Sequence, residues 1–140
     1  MPRATISVQT RRTQEFIDIT DRVEKAIREL GLSSGACLLY VPHTTAGITI
    51  NETADPAVKD DILGALQRLV PASLDYEHVE GNAHAHIQAS LMGSSVLIAV
   101  EDGRLMKGTW QGVLFGEFDG PRERSVWIQP MASNSAPTPG

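Results

Sequence analysis

The 140 residues include a single cysteine, Cys37. No intrachain disulfide can form, and zinc frameworks built on four thiolates are excluded. Basic residues are also scarce: 12 Lys and Arg stand against 17 Asp and Glu, for a net charge of −5 and a pI near 5.3. That balance argues against a general nucleic-acid binder, whose footprint is basic. No run approaches the 18 or so apolar residues of a membrane span, so no membrane partner is expected. The opening MPRATISVQTRR has basic residues but no apolar stretch behind them, unlike a secretory leader, and a cytoplasmic location is expected. GxGxxG, GxxxxGK[ST], HExxH and EF-hand loops are missing as well. Dinucleotide folds, P-loop NTPases, zincin proteases and calcium loops are thereby set aside.

What remains is an ordinary globular composition, 41% apolar and 21% charged. At 15.1 kDa the chain is one domain's worth, too short for a (β/α)₈ barrel. Ala4, Ile6 and Val8 alternate with Thr5, Ser7 and Gln9, the period of a half-buried strand, and 15–19 repeats that pattern. Thr20 reads as an N-cap, Asp21 favours the first turn, Val23, Ala26, Ile27 and Leu30 follow at helical spacing, and Gly31 stops the helix. The nearly continuous apolar run Ala36 to Val41 predicts a strand buried on both faces, ended by Pro42. Residues 47–51 are again strand-like. Asp55-Pro56 then reads as N-cap and N1 of a helix that turns Val58, Ile62, Ala65, Leu66 and Leu69 inward and closes at Pro71.

Residues 72–83 read as a loop, and His84 to Leu91 as a short helix ended by Gly93. Four strands follow, at 96–100, 105–108, 111–118 and 125–129, with six of the twelve glycines between 93 and 120. Turns account for some of those glycines; bulges or close backbone approach account for the rest. The expectation is an α+β fold: a single compact domain over 1–130, an antiparallel-rich mixed sheet covered by two or three helices, and a flexible tail over 131–140.

Chemistry-bearing residues fall in three places. His43 ends the buried strand, and the hydroxyls of Thr44 and Thr45 suit holding a phosphate or orienting an imidazole. Three of the four histidines, His78, His84 and His86, lie within nine residues. Three imidazoles with one open position make a catalytic zinc centre, although separate structural histidines account for the cluster equally well. On a helix His84 and His86 point to nearly opposite sides, so only one of them is expected in any site. Asp55 is expected to cap its helix and Glu52 to be solvated, which leaves Asn51 without an obvious structural task. In the third place, alternation puts Gln111, Val113, Phe115 and Glu117 on one face. A metal or substrate nearby, or plain solvent exposure, would explain a glutamate there. Arg122 and Arg124 carry forked donors suited to phosphate or to carboxylates of a neighbouring subunit.

The blocks HTTAGITINETADPAVKDD (43–61), EGNAHAHIQASLMGSS (80–95) and GRLMKGTWQGVLFGEFDGPRER (103–124) resemble the signature blocks of the YjbQ family, over about residues 3–130. That family is described as secondary thiamine-phosphate synthase enzymes. The resemblance implies a compact α+β domain, a homotrimer, and a site at the subunit boundary. Its polar set falls here on His43, Thr44, Thr45, Asn51, Glu52, Asp55, His78, Asn82, His86, Trp110, Gln111, Glu117, Asp119 and Arg122. His84 and Lys107 depart from the pattern, and His84 is left outside the site. The family's His43 and His86 positions border a pocket able to hold a metal ion.

Two functions are therefore carried forward. In one, the chain is an enzyme with weak thiamine-phosphate synthase activity, joining a hydroxymethylpyrimidine pyrophosphate to a thiazole phosphate. Glu52, Glu117 and Arg122 are its catalytic candidates. Thr44, Thr45, Asn51, Asn82, Trp110, Gln111 and Asp119 would bind a small phosphorylated metabolite. A divalent metal, zinc or magnesium, would sit on His43, His78 and His86. In the other, the chain is a metal- or small-ligand-binding module, a reading the low basic count favours.

Overall fold

The computed structural model describes residues 2–78 and 81–133. Eight strands and three helices follow the order β1 (Ala4–Gln9), β2 (Glu15–Asp18), α1 (Thr20–Glu29), β3 (Ser34–Tyr40), β4 (Ala46–Glu52), α2 (Pro56–Leu69), α3 (Ala83–Met92), β5 (Ser95–Glu101), β6 (Arg104–Leu105), β7 (Gln111–Glu117) and β8 (Glu123–Ala132). The α+β class holds, but the strands divide between two sheets, and every pairing is antiparallel. Sheet A runs β1-β8-β3-β5-β6 and sheet B runs β2-β7-β4.

The sheets bury their alternating apolar faces against each other. Val8, Cys37, Leu39, Ile98, Val100, Val126 and Ile128 come from sheet A, and Ile48, Val113 and Phe115 from sheet B, with Val23 and Ile27 of α1 closing the same core. Each such side chain contributes about 1.5–3 kcal/mol on leaving water. Cys37 lies wholly inside, where burial pushes its thiol up to about 11 and makes it a poor nucleophile. The other face of sheet B is covered by α2 and α3 through Phe16, Leu63, Leu66, Ala85, Ala89, Met92 and Phe118. β7 is thus buried on both faces. A Cβ on Gly116 would come within 2.7 Å of Met92 Sδ, so this in-strand glycine is what lets α3 lie down on the sheet.

Several local expectations change. β3 is covered on one side only: Tyr40 is exposed and Leu38 half-buried on the outer face of sheet A. Leu69 also points to solvent, and Leu63 takes the inward position instead. The strand expected at 105–108 shrinks to Arg104–Leu105, because β6 pairs only with the last residues of β5. The expected tail is ordered at its start, since Met131 and Ala132 pair with Ala36 and Gly35; residues 134–140 lie outside the described residues. Thr20 does not cap α1. Asp18 Oδ1 accepts from the Thr20 N–H and hydroxyl, and Thr20 Oγ1 accepts from Val113 N–H, stitching the helix start to β7.

At the other helix ends the local chemistry is as read. Gly31 leaves α1 with φ +77°, a conformation costly for residues with a Cβ. Asp55 Oδ1 accepts the Ala57 N–H at 2.9 Å, ahead of Pro56 at the first helical position. Asp55→Ala is expected to lower stability by about 0.5–2 kcal/mol in urea denaturation, without altering ligand binding. Unchanged stability with lost binding would move Asp55 into the site.

Candidate functional site

Glu117 ends β7 with its side chain inside the sandwich, fully buried. Neither metal nor solvent accounts for it: its partner is Arg124, also buried, seven residues later on β8. Arg124 Nε donates to Oε1 at 2.8 Å and Nη2 donates to Oε2. Thr10 Oγ1 donates to Oε1 at 2.7 Å and Asp119 N–H to Oε2 at 3.0 Å. Burial alone would raise the carboxyl. The bonds from Arg124, Asp119 N–H and Thr10, with the guanidinium charge, outweigh burial and hold it below the ordinary value. Arg124 is therefore not turned to phosphate or to another subunit. Its Nη2 instead donates to Thr45 Oγ1 at 2.8 Å. That bond occupies a lone pair of Thr45 and leaves the hydroxyl proton to be donated elsewhere.

His43 is held by the next residue of β8. β3 ends at Tyr40, opposite Trp127, so the Ser125 N–H has no β3 carbonyl to meet. The His43 ring takes that place, and Nε2 accepts from Ser125 N–H at 2.9 Å. An accepting Nε2 carries no proton, so the neutral ring is protonated at Nδ1. Burial and the nearby Arg124 charge push His43 below the usual imidazole range.

Two adjoining cavities flank α3. One, of about 500 Å³, is bordered by His43, Thr44, His86, Ser90 and Ser94. The other, a polar cleft of about 470 Å³ at the start of α3, is bordered by Thr13, Thr44, Thr45, Asn82, His84, His86, Asp119 and Arg122. Thr44 and His86 belong to both. In the cleft, Asn82 Nδ2 donates to Asp119 Oδ2 at 2.9 Å, and Arg122 donates Nε to Asp119 O and Nη2 to Oδ2. Two of the five guanidinium N–H groups are thus committed, and the side chain is half-exposed. Asn82 Oδ1 and His84 Nδ1 are buried without a hydrogen-bond partner. No acidic residue occupies the first turn of α3, whose N–H groups and dipole favour an anion.

The structure therefore gathers Thr44, Thr45, Asn82, His86, Asp119 and Arg122 at one end of sheet B, with Glu117 beneath them. Asn51, Glu52, Trp110 and Gln111 lie at the other end, since Glu52 pairs with Gln111 while Ala46 pairs with Glu117. Six residues of strand separate the groups, about 20 Å. Asn51 Oδ1 accepts from Glu52 N–H, Gln111 Oε1 accepts from Gly108 N–H, and Trp110 is 64% exposed. His78 meets His86 edge to face, ring centres 5.1 Å apart. Among the described residues no three His, Cys, Asp or Glu side chains are grouped to hold a metal ion, and His43 Nε2 is already engaged. The three-histidine set does not fit a metal within one chain.

Both His84 and His86 border the cleft, contrary to the expectation for an HxH pair on a helix. The cleft sits over the end of α3 rather than along one side, so residues of the first turn on different faces both reach it. Thr10, Thr13 and the role of Arg124 carried no sequence signal. Gly31-Leu32-Ser33-Ser34-Gly35 has GxSxG spacing, but it leads from helix to strand, the reverse of a nucleophile elbow.

A family model described as "UPF0047 protein YjbQ-like" matches residues 4–133. The UPF0047 protein YugU of Bacillus subtilis is 50% identical over 128 residues, covering 91% of this chain and 97% of its own. A UPF0047 protein of Methanocaldococcus jannaschii is 48% identical, covering 87% and 88%. An uncharacterised YjbQ/UPF0047 protein of Clostridium acetobutylicum superposes with a TM-score of 0.87 at 56% identity, covering 90% and 98%. A hypothetical protein of Aeropyrum pernix reaches 0.89 at 38% identity, covering 95% and 100%.

Glu117→Ala, which strands a buried arginine, is expected to cost about 3–5 kcal/mol in urea denaturation. The paired change Glu117→Leu with Arg124→Met should recover most of it; equal losses in both variants would contradict the account. Both Glu117 and His43 bind protons less readily folded than unfolded, so stability rises with pH through each window. His43's contribution is complete above about 6.5, and Glu117's above about 4.3, each fading as pH falls through the lower folded value. Thermal melts from pH 8 to 3, with His43→Gln removing the upper step, check both.

Proposed function

This chain belongs to the UPF0047/YjbQ family, and we propose that it binds a small phosphorylated metabolite in the cleft at the start of α3. The observation that carries this is the convergence there of Arg122, the Thr44 and Thr45 hydroxyls, His86 and the uncapped first turn of a helix. Asp119 offsets the Arg122 charge. Recognition then relies on directed donors rather than on a strong positive field, in keeping with the acidic chain. Glu117 acts from below as a positioning residue, through Arg124 and Thr45.

The finer reading is a weak thiamine-phosphate synthase. The thiazole nitrogen lone pair forms a bond to the pyrimidine methylene carbon, and the carbon–oxygen bond to pyrophosphate breaks with its electrons leaving on oxygen. No proton need move, so the demand is charge stabilisation on the leaving group. Arg122, the Thr44 and Thr45 hydroxyls and those first-turn N–H groups that Asn82 O does not take are the donors available for it. A divalent ion on His43, His78 and His86 is a proposal about the assembled protein, and no step above depends on it. Self-association is proposed alongside: Tyr40, Leu97 and Met131 leave an apolar outer face on sheet A, which a homotrimer would cover.

Inorganic pyrophosphate titrated into isotopically labelled protein should shift Thr45, Asn82 and Arg122. Arg122→Met should weaken binding roughly 10–100-fold, the loss of a charged hydrogen bond worth about 1.5–3 kcal/mol. Shifts confined to other surfaces would refute the site. Thiamine-phosphate formation with and without chelator, metal analysis of untreated protein, and light-scattering mass test the enzyme, the ion and the trimer separately.

A further inference from the structure

A third cavity, of about 490 Å³, lies between the end of α2 and the first turn of α3. Val70, Pro71 and Ala72 give it an apolar wall, and three glutamines face that wall. No Asp, Glu, Lys or Arg lines it among the described residues. His84 stands on the boundary, lining both this pocket and the polar cleft.

The glutamines form one oriented chain. Gln88 is 1% exposed, and its Nε2 donates to the Leu66 and Val70 carbonyls at 3.4 and 3.3 Å. Carbonyls only accept, so this amide cannot be turned around. Its Oε1 must then receive, and it accepts from Gln14 Nε2 at 2.7 Å, which also donates to Phe118 O at 3.1 Å. Gln14 Oε1 in turn accepts from Gln67 Nε2 at 2.9 Å. Two sets of backbone carbonyls thus orient every amide, and the chain ends at Gln67 Oε1. His84 lines the pocket, and its Nδ1 is buried without a partner.

An uncharged pocket with one apolar wall, fixed amide dipoles and an imidazole at its edge suits a flat, neutral group bearing both donor and acceptor. We propose that it is a second ligand subsite, for a carboxamide-bearing or aza-aromatic ring. The ring belongs to the same metabolite whose anionic part occupies the cleft, with His84 between the two parts. Only the link to the anionic part rests on the function proposed above.

Nicotinamide and cytosine, as neutral flat probes, and inorganic pyrophosphate are titrated separately into the full labelled chain by NMR. At least one flat probe should bind saturably, shifting the side-chain amides of Gln14, Gln67 and Gln88 and the His84 ring. Ala72→Phe and Gln67→Leu, both at exposed positions, should weaken that probe at least tenfold and leave pyrophosphate binding unchanged. The subsite is overturned if neither flat probe shifts those groups, or if binding survives Ala72→Phe in a variant whose spectrum shows it folded. If a flat probe binds there while pyrophosphate leaves the cleft unmoved, the subsite stands and the reading of the cleft falls.

Discussion

The pairing of Glu117 with Arg124 inside the sandwich is the contact on which the site's geometry depends. Glu117 closes β7 in sheet B and Arg124 is the second residue of β8 in sheet A, so the ion pair spans the point where the chain crosses between sheets. Thr10 joins it from the end of β1, and Thr45 from the approach to β4. Two buried charges are costly to desolvate, and such pairs are weak evidence of stability in themselves. What makes this one tolerable is completeness: both carboxylate oxygens are bonded twice. The tight chain around it has its own requirement. A Cβ on Gly120 would approach Glu117 Cγ to 2.8 Å and collide with Arg12 O.

From that pair the orientation of the cleft follows outward. The Arg124 guanidinium fixes Thr45, and the Ser125 N–H beside it fixes His43, so consecutive residues of β8 set two site residues that lie about 80 positions away. The Asp119 N–H is tied to Glu117 while its carboxylate holds Arg122 and Asn82, which carries the order to the first turn of α3. A polar surface built this way is pre-organised: buried Arg124 holds the Thr45 hydroxyl, and Asp119, tied to buried Glu117, holds Asn82 and Arg122. It also confines the ordered donors to one end of sheet B, about 20 Å from Trp110 and Glu52.

Local chemistry was largely readable along the chain. The Asp55-Pro56 cap, the Gly31 stop, the helix over 83–92 and the period-two pattern of β1, β5, β7 and β8 each depend on neighbours a few residues apart. So did the candidacy of Thr44, Thr45, Asn82, His86, Asp119 and Arg122, which signature blocks bring to notice and the fold brings together. Errors clustered where long-range partners decide. Leu69 fits a helical stripe but has nothing to pack against. Thr20 looks like a cap, but β7 claims its hydroxyl.

By itself, the sequence determined the α+β class, the approximate positions of the helices, the lack of an intrachain disulfide, and the family. Periodicity, capping and composition are local properties and need no partner to be read. The division of the strands into two sheets was decided only in the tertiary structure. So were the burial of Glu117 on Arg124, the engagement of His43 Nε2, and the admission of both His84 and His86 to one cleft. Each of these depends on which distant backbone or charge arrives beside a side chain, and spacing along the chain carries no record of that.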